Sequence, residues 1–187
     1  MKIGFILGSF DPIHIGHIAM ATEALNAGLV DKVLFVVAKK NVWKEHKATY
    51  YERMHMVTSA IYNIPNMEVS NVEEFIEEPC YSYKTIEKLK EQYPSDELYF
   101  IAGEDVVKSI SSWKNYQDIL KVVDFITVTR ESSEGTVPFE VNLGYKVKLK
   151  LDISSTKVRY LLNNDKQVFP YILPQTEKFI KNNNLYK

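Results

Sequence analysis

An apolar run that stops at a glycine and resumes a few residues later as helix constrains this chain more than any other feature. Ile3-Gly4-Phe5-Ile6-Leu7-Gly8 is short and apolar. Ser9-Phe10-Asp11-Pro12 carries turn residues, and Ile18, Ala21 and Leu25 then recur at helical spacing. Strand, tight loop and helix follow in that order. A helix N-terminus offers unpaired backbone N–H groups and the positive end of the helix dipole, which together suit a phosphate. Gly8 lets the backbone come close to a ligand. His14 and His17 stand three apart and share one face of the first helical turn. Two imidazoles there can hold a polyphosphate without any strong base.

The rest of the chain sets bounds on this reading. Its 187 residues suit a single domain, 1–187, with a sizeable core. A net charge of -1 argues against a general nucleic-acid binder, whose domain would be basic. The single cysteine, Cys80, excludes an internal disulfide and a cysteine-rich zinc site, and fits a reducing, cytoplasmic setting. The opening apolar run is broken by Gly4, Asp11 and Pro12, so it is too short for a secretory signal or a membrane span. Neither nucleic acid nor membrane is expected as a partner.

Strand and helix patterns alternate beyond the first loop. Asn26-Ala27-Gly28 reads as a helix stop, and Lys32–Ala38 as a strand buried on both faces. Lys39–Thr49 is a basic loop beside the phosphate loop, at the strand edge where open α/β sheets bind ligands. Tyr50–Asn63 has helical spacing, and Met67–Asn71 suits a short strand. Glu73, Glu74, Glu77 and Glu78 are expected to form a solvated acidic face. Pro79-Cys80-Tyr81-Ser82 opens another helix, with Ser82 as its N-cap. Glu97–Gly103 is a strand, and Asp105 beyond it is placed for ribose hydroxyls or for capping. Trp113 lies between helical pieces, where an aromatic either stacks on a ligand or plugs the core. Val122–Arg130 reads as a strand, Glu131–Gly144 as a surface loop, and 145–151 as a half-exposed strand whose lysines discourage edge pairing. In Asp152-Ile153-Ser154-Ser155-Thr156-Lys157-Val158-Arg159 a strand ends and a helix begins. Hydroxyls, free N–H groups and Arg159 make it a second anion site. The last segment, with Pro174, Phe179 and Ile180, reads as a packing helix. Repeated βα units imply an α/β fold in three layers around a doubly wound, mostly parallel sheet.

Four of these strings resemble one family. Gly8-Ser9-Phe10-Asp11-Pro12-x-His14-x-Gly16-His17 is similar to the first signature of the nucleotidyltransferase superfamily, and His14-Ile15-Gly16-His17 also to that of class I aminoacyl-tRNA synthetases. A synthetase would need a KMSKS string and a tRNA-binding extension, and neither is apparent. Pro79-Cys80-Tyr81-Ser82-Tyr83-Lys84-Thr85, Gly103-Glu104-Asp105 with Trp113-Lys114, and Ile153-Ser154-Ser155-Thr156-x-x-Arg159 complete the set. Over nearly the whole chain it resembles the bacterial nicotinate mononucleotide adenylyltransferases, with a Rossmann-like nucleotidyltransferase fold.

That resemblance implies transfer of AMP from ATP to nicotinate mononucleotide, giving deamido-NAD and pyrophosphate. It implies that Gly8, Ser9, Phe10, His14, His17, Gly103, Asp105, Ser154, Ser155, Thr156 and Arg159 hold ATP, with His14, His17 and Arg159 catalytic. Tyr81, Ser82, Trp113, Lys47 and Arg130 would hold the acceptor. Mg²⁺ would enter on the ATP phosphates, with no protein metal site, and homo-oligomerisation is compatible with the resemblance. Nicotinamide mononucleotide and phosphopantetheine are the alternative acceptors, and a non-catalytic nucleotide sensor is the alternative of another kind. The chain departs from the family pattern at several points. Asn41–Lys47 replaces a proline-containing basic loop, Cys80 and Ser82 replace serine and threonine, Lys114 stands where the family has an aromatic, and Glu131-Ser132 replaces Pro-Gly.

Overall fold

Alternating side chains decide the layers. Along β2 (Lys32–Val37), Val33, Phe35 and Val37 point into one core, and Leu34 and Val36 into another. A strand that feeds two cores has no polar face, which is why this segment reads as continuously apolar. The same division runs through β1 (Lys2–Gly8), β4 (Glu97–Gly103) and β5 (Asp124–Arg130). Ile6, Ile101 and Ile126 go to the first core; Ile3, Phe5, Phe100 and Phe125 go to the second. The first core is covered by α1 (Ile15–Asn26), α2 (Tyr50–Ile61), α6 (Ser155–Asn163) and α7 (Pro174–Asn182). The second is covered by α3 (Ser82–Gln92), α4 (Glu104–Ser109) and α5 (Tyr116–Val122). Three layers result, as the βα alternation implies.

The computed structural model describes residues 1–40, 45–130, 143–149 and 153–187, without the side chains of 129–130 and 143–149. Its sheet has the order β3-β2-β1-β4-β5-β6, with β3 at Met67–Ser70 and β6 at Leu143–Leu149. All five strand pairings are parallel. The strand order reverses between β1 and β4, and in such sheets that junction leaves a crevice at the carboxyl ends of the strands. Among the described residues, no helix is long and apolar enough to cross a membrane.

Element boundaries differ from the sequence reading in small ways with physical causes. Gly28, at φ 66°, takes the left-handed position that ends α1. Tyr81, not Ser82, is the extended N-cap of α3, and Ser82 is its first helical residue. Leu143 and Gly144 belong to β6, because Leu143 pairs with Phe125 of β5 and Gly144 falls at the irregularity before the Tyr145 pair; residues 131–142 of the expected loop lie outside the described residues. The lysine alternation of 145–151 falls on side chains outside them too, but β6 is the outermost strand of its side.

One expectation is corrected. Glu73 is not on a solvated face: it is 1% exposed, on a short 3-10 turn at Val72–Phe75. Its carboxylate accepts from the Lys39 backbone N–H (2.7 Å) and from the Thr85 hydroxyl (2.8 Å). Those bonds replace water, whereas Glu77 and Glu78 stay exposed.

Candidate active site

A cleft of about 700 Å³ opens at the switch point, within the size range of small-molecule and cofactor sites. Its walls come from the end of β1, the loops after β1 and β2, and the starts of α1, α3 and α6. Two ends can be distinguished by their chemistry.

The first end carries the histidines. His14 is the N-cap of α1, and its ring stacks on that of His17 with centroids 3.7 Å apart. The His14 backbone N–H donates to Nδ1 of His17 (3.2 Å). An Nδ1 that accepts leaves the neutral ring's proton on Nε2, so His17 keeps one N–H to offer. Burial first, and then the neighbouring His14, hold the His17 pKa well below the ordinary histidine value. His17 therefore acts as a neutral donor near pH 7. Phe10 packs its ring edge-on against His17 at 4.9 Å. Gly16 is required between the two imidazoles: a Cβ there would lie 2.9 Å from Ile153 and 3.0 Å from His14 Nδ1.

The second anion motif is bonded directly onto the first. Ser154 caps α6, its hydroxyl accepting from the Lys157 N–H (3.2 Å). The Ser155 hydroxyl donates to the Pro12 carbonyl (2.8 Å). Arg159 donates to the Asp11 carbonyl (2.6 Å) and to the Thr156 hydroxyl (3.2 Å). The N-termini of α1 and α6 thus line one cleft together, with the positive ends of both helix dipoles turned to it. This arrangement can hold a chain of phosphates and neutralise charge that develops on it.

Sequence reasoning missed the residues that hold this end in shape. Asp11 is buried, and its carboxylate accepts from the N–H groups of Lys47 (2.8 Å) and Ala48 (3.1 Å) and from the Tyr186 hydroxyl (2.7 Å). Burial, and next the Asp11 charge, push the Tyr186 phenol up, so it stays a donor. Arg53 is wholly buried and donates to the carbonyls of Ser9 (2.7 Å), Ala38 (2.7 Å), Lys39 (3.2 Å) and Ala48 (3.2 Å). One guanidinium thereby holds the loops after β1 and β2 together. Its position offered a signal: Arg53 lies three and four residues before Met56 and Val57 on the buried face of α2. His46 also lines the cleft, with Nε2 3.0 Å from the Ser9 hydroxyl. Burial, and next Arg53, lower its pKa.

The other end carries aromatic residues. Tyr81, Ser82, Cys80, Trp113 and Lys114 line it. Trp113 rests on Phe100 (centroids 6.2 Å) and also lines the cleft. Gly8, Ser9, Phe10, His14, His17, Ser154, Ser155, Thr156, Arg159, Tyr81, Ser82 and Trp113 are therefore brought to one cleft. Gly103 and Asp105 are not in its lining; Asp105 is exposed in the first turn of α4. Lys47 contributes its backbone N–H to Asp11 and leaves its side chain exposed. Arg130 ends β5, and its side chain lies outside the described residues.

Known proteins share this architecture and sequence. The family model described as cytidylyltransferase-like matches residues 5–161. A protein of Flavobacterium psychrophilum named as a probable nicotinate-nucleotide adenylyltransferase is 32% identical over the full length of both chains. The nicotinate-nucleotide adenylyltransferase of Bacillus subtilis is 30% identical, over 100% of this chain and 98% of its own. The solved nicotinic acid mononucleotide adenylyltransferase of Plasmodium falciparum, complexed with NaAD, superposes with a TM-score of 0.86 at 24% identity, covering 99% of this chain and 97% of its own. The chain belongs to the cytidylyltransferase-like family and, within it, to the nicotinate-nucleotide adenylyltransferases.

Proposed function

We propose that the chain transfers AMP from ATP to nicotinate mononucleotide, forming deamido-NAD and releasing pyrophosphate. The observation that carries this reading is the convergence of two helix N-termini, His14, His17 and Arg159 on one end of a cleft whose other end is aromatic. The named activity of its full-length relatives supports it. A phosphate oxygen of the acceptor attacks the α-phosphorus of ATP, and the bond from that phosphorus to the bridging oxygen of pyrophosphate breaks. The acceptor is already an anion, so no protein nucleophile or strong base is needed. Catalysis is positioning plus charge stabilisation. We assign His17 Nε2–H, the His14 ring, Arg159 and the α6 N-terminus to the phosphates. Gly8, Ser9 and Phe10 shape the same loop, and Gly103 and Asp105 are assigned to the adenosine side.

Nucleotidyltransferases of this kind typically need a divalent metal. Among the described residues, no group of three His, Cys, Asp or Glu side chains fits a metal ion. We assign Mg²⁺ to the ATP phosphates, beside His14, His17 and Arg159, where it would neutralise charge. ATP and pyridine mononucleotides as substrates fit a cytoplasmic enzyme.

Acceptor choice is assigned to Tyr81, Ser82 and Trp113, with Lys47 and Arg130 on the acceptor phosphate. Ser82 and Tyr83 open α3, where a backbone N–H has no helix carbonyl ahead of it, whereas the Lys84 N–H already donates to the Tyr81 carbonyl (2.9 Å). The Ser82 and Tyr83 N–H groups donate to a pyridine carboxylate and would be left facing N–H donors by the amide. Unpaired buried donors cost about 1–3 kcal/mol, roughly tenfold to over a hundredfold in rate. The test offers ATP and Mg²⁺ with nicotinate mononucleotide, nicotinamide mononucleotide or phosphopantetheine, and measures pyrophosphate and the adenylylated product. Highest kcat/KM with nicotinate mononucleotide is expected. Preference for another acceptor overturns the assignment, and ATP binding without pyrophosphate release makes the protein a sensor.

A further inference from the structure

The cations lining the cleft are not equivalent. Lys40 pairs with Glu78 at 3.3 Å, and Arg159 is spent on the Asp11 carbonyl and the Thr156 hydroxyl. Lys114 has no carboxylate partner among the described residues. Its ammonium instead lies over the ring of Tyr81, 4.5 Å from the centroid. A π-face orients a cation without neutralising it. The Tyr81 ring is itself steadied by stacking on Tyr83 at 6.2 Å. Glu73, a carboxylate in the cleft lining, is occupied by the Lys39 N–H and the Thr85 hydroxyl. An unneutralised positive charge is thus held beside the first turn of α3 and next to Trp113.

We propose that the Lys114 ammonium pairs with the anionic ring substituent of the acceptor, and so makes this cleft select a pyridine carboxylate over its neutral amide. The inference rests on the adenylyltransferase reading above and deepens it. The acceptor phosphate is drawn to the histidine end, so the group left at the aromatic end is the ring substituent. Lys114 is exposed, and an exposed ion pair is weak and screened by salt. Its share of the preference is accordingly about three- to fivefold, and the α3 N–H groups carry the rest.

The experiment compares the parent with Lys114→Met, which keeps the stem, and Lys114→Arg, which keeps the charge. Equilibrium binding and kcat/KM are measured for nicotinate and nicotinamide mononucleotide at low and physiological salt. Lys114→Met should lose about three- to fivefold for the nicotinate form, with the amide and ATP altered less than about twofold. Its nicotinate KM should also lose salt sensitivity, and Lys114→Arg should restore both properties. Equal losses for both mononucleotides, or an unchanged ratio, overturn the proposal in favour of a packing role. If the parent binds neither mononucleotide, this assignment falls together with the functional reading. If the parent shows a charge-dependent binding preference without releasing pyrophosphate, the catalytic reading falls and the role of Lys114 stands.

Discussion

The two ends of the cleft are held by different kinds of contact. At the histidine end, short hydrogen bonds join remote parts of the chain: Ser155 to Pro12 across 143 positions, Arg159 to Asp11 across 148, and Tyr186 to Asp11 across 175. At the aromatic end the side chains meet through ring faces and one ammonium, at 4.5 to 6.2 Å. The difference follows from what each end does in the proposed reaction. Charge that develops on transferring phosphates is stabilised only by donors already in place. An end that admits and releases an acceptor needs shape and charge, but fewer fixed bonds.

The sharpest way to break this comparison is to remove a fixed donor. His17→Ala should lower turnover by roughly a hundredfold or more, as loss of a transition-state charge contact does. Its circular dichroism should stay unchanged. Steady-state rates within about twofold of the parent would remove His17 from the phosphate site. Next in size is Arg159. Arg159→Ala should lower kcat/KM by roughly tenfold or more, the scale of a charged hydrogen bond. Arg159→Lys should recover only part of that, because one ammonium cannot reach the Asp11 carbonyl and the Thr156 hydroxyl as a planar fork does. Full recovery would mean that a point charge suffices there.

Tyr186→Phe tests whether the remote bonds matter for the histidine end alone. It removes one of three donors to the Asp11 carboxylate, a loss of about 1 kcal/mol. The melting temperature should fall by about 2–4 °C. The ATP KM should rise about threefold, while the acceptor KM changes less. Equal rises in both constants would dissolve the division between the ends.

The smallest effect is expected at Cys80, on the acceptor side. Burial first, and then the Glu73 carboxylate, push its thiol pKa up. Less thiolate is present at any given pH, so alkylation by iodoacetamide should be slow near pH 8 and accelerate only at higher pH. Cys80→Ser should keep activity within about twofold of the parent, whereas a bulky maleimide adduct should block acceptor binding and spare ATP binding. Rapid inactivation at neutral pH, or a folded but inactive Cys80→Ser protein, would point to a catalytic thiol.

Local pattern determined much of this protein. Strand and helix order, the two strand-to-helix strings that line the cleft and the parallel sheet were legible because each depends on residues within a few positions of one another. Gly8, His14 and His17 declare themselves by spacing, and Ser154 by its place before a helix. Only the tertiary structure decided that Glu73 is buried while Glu77 and Glu78 are exposed. The Lys39 N–H lies 34 positions from Glu73, beyond the reach of any local pattern. The same holds for Asp11, which looked like a turn residue and is the acceptor on which the histidine end closes. Its partners Ala48, Arg159 and Tyr186 are scattered along the chain. Hydrogen bonds between such distant groups leave no period or motif behind. They exist because the sheet brings its strand ends and the helices that cover them to one edge.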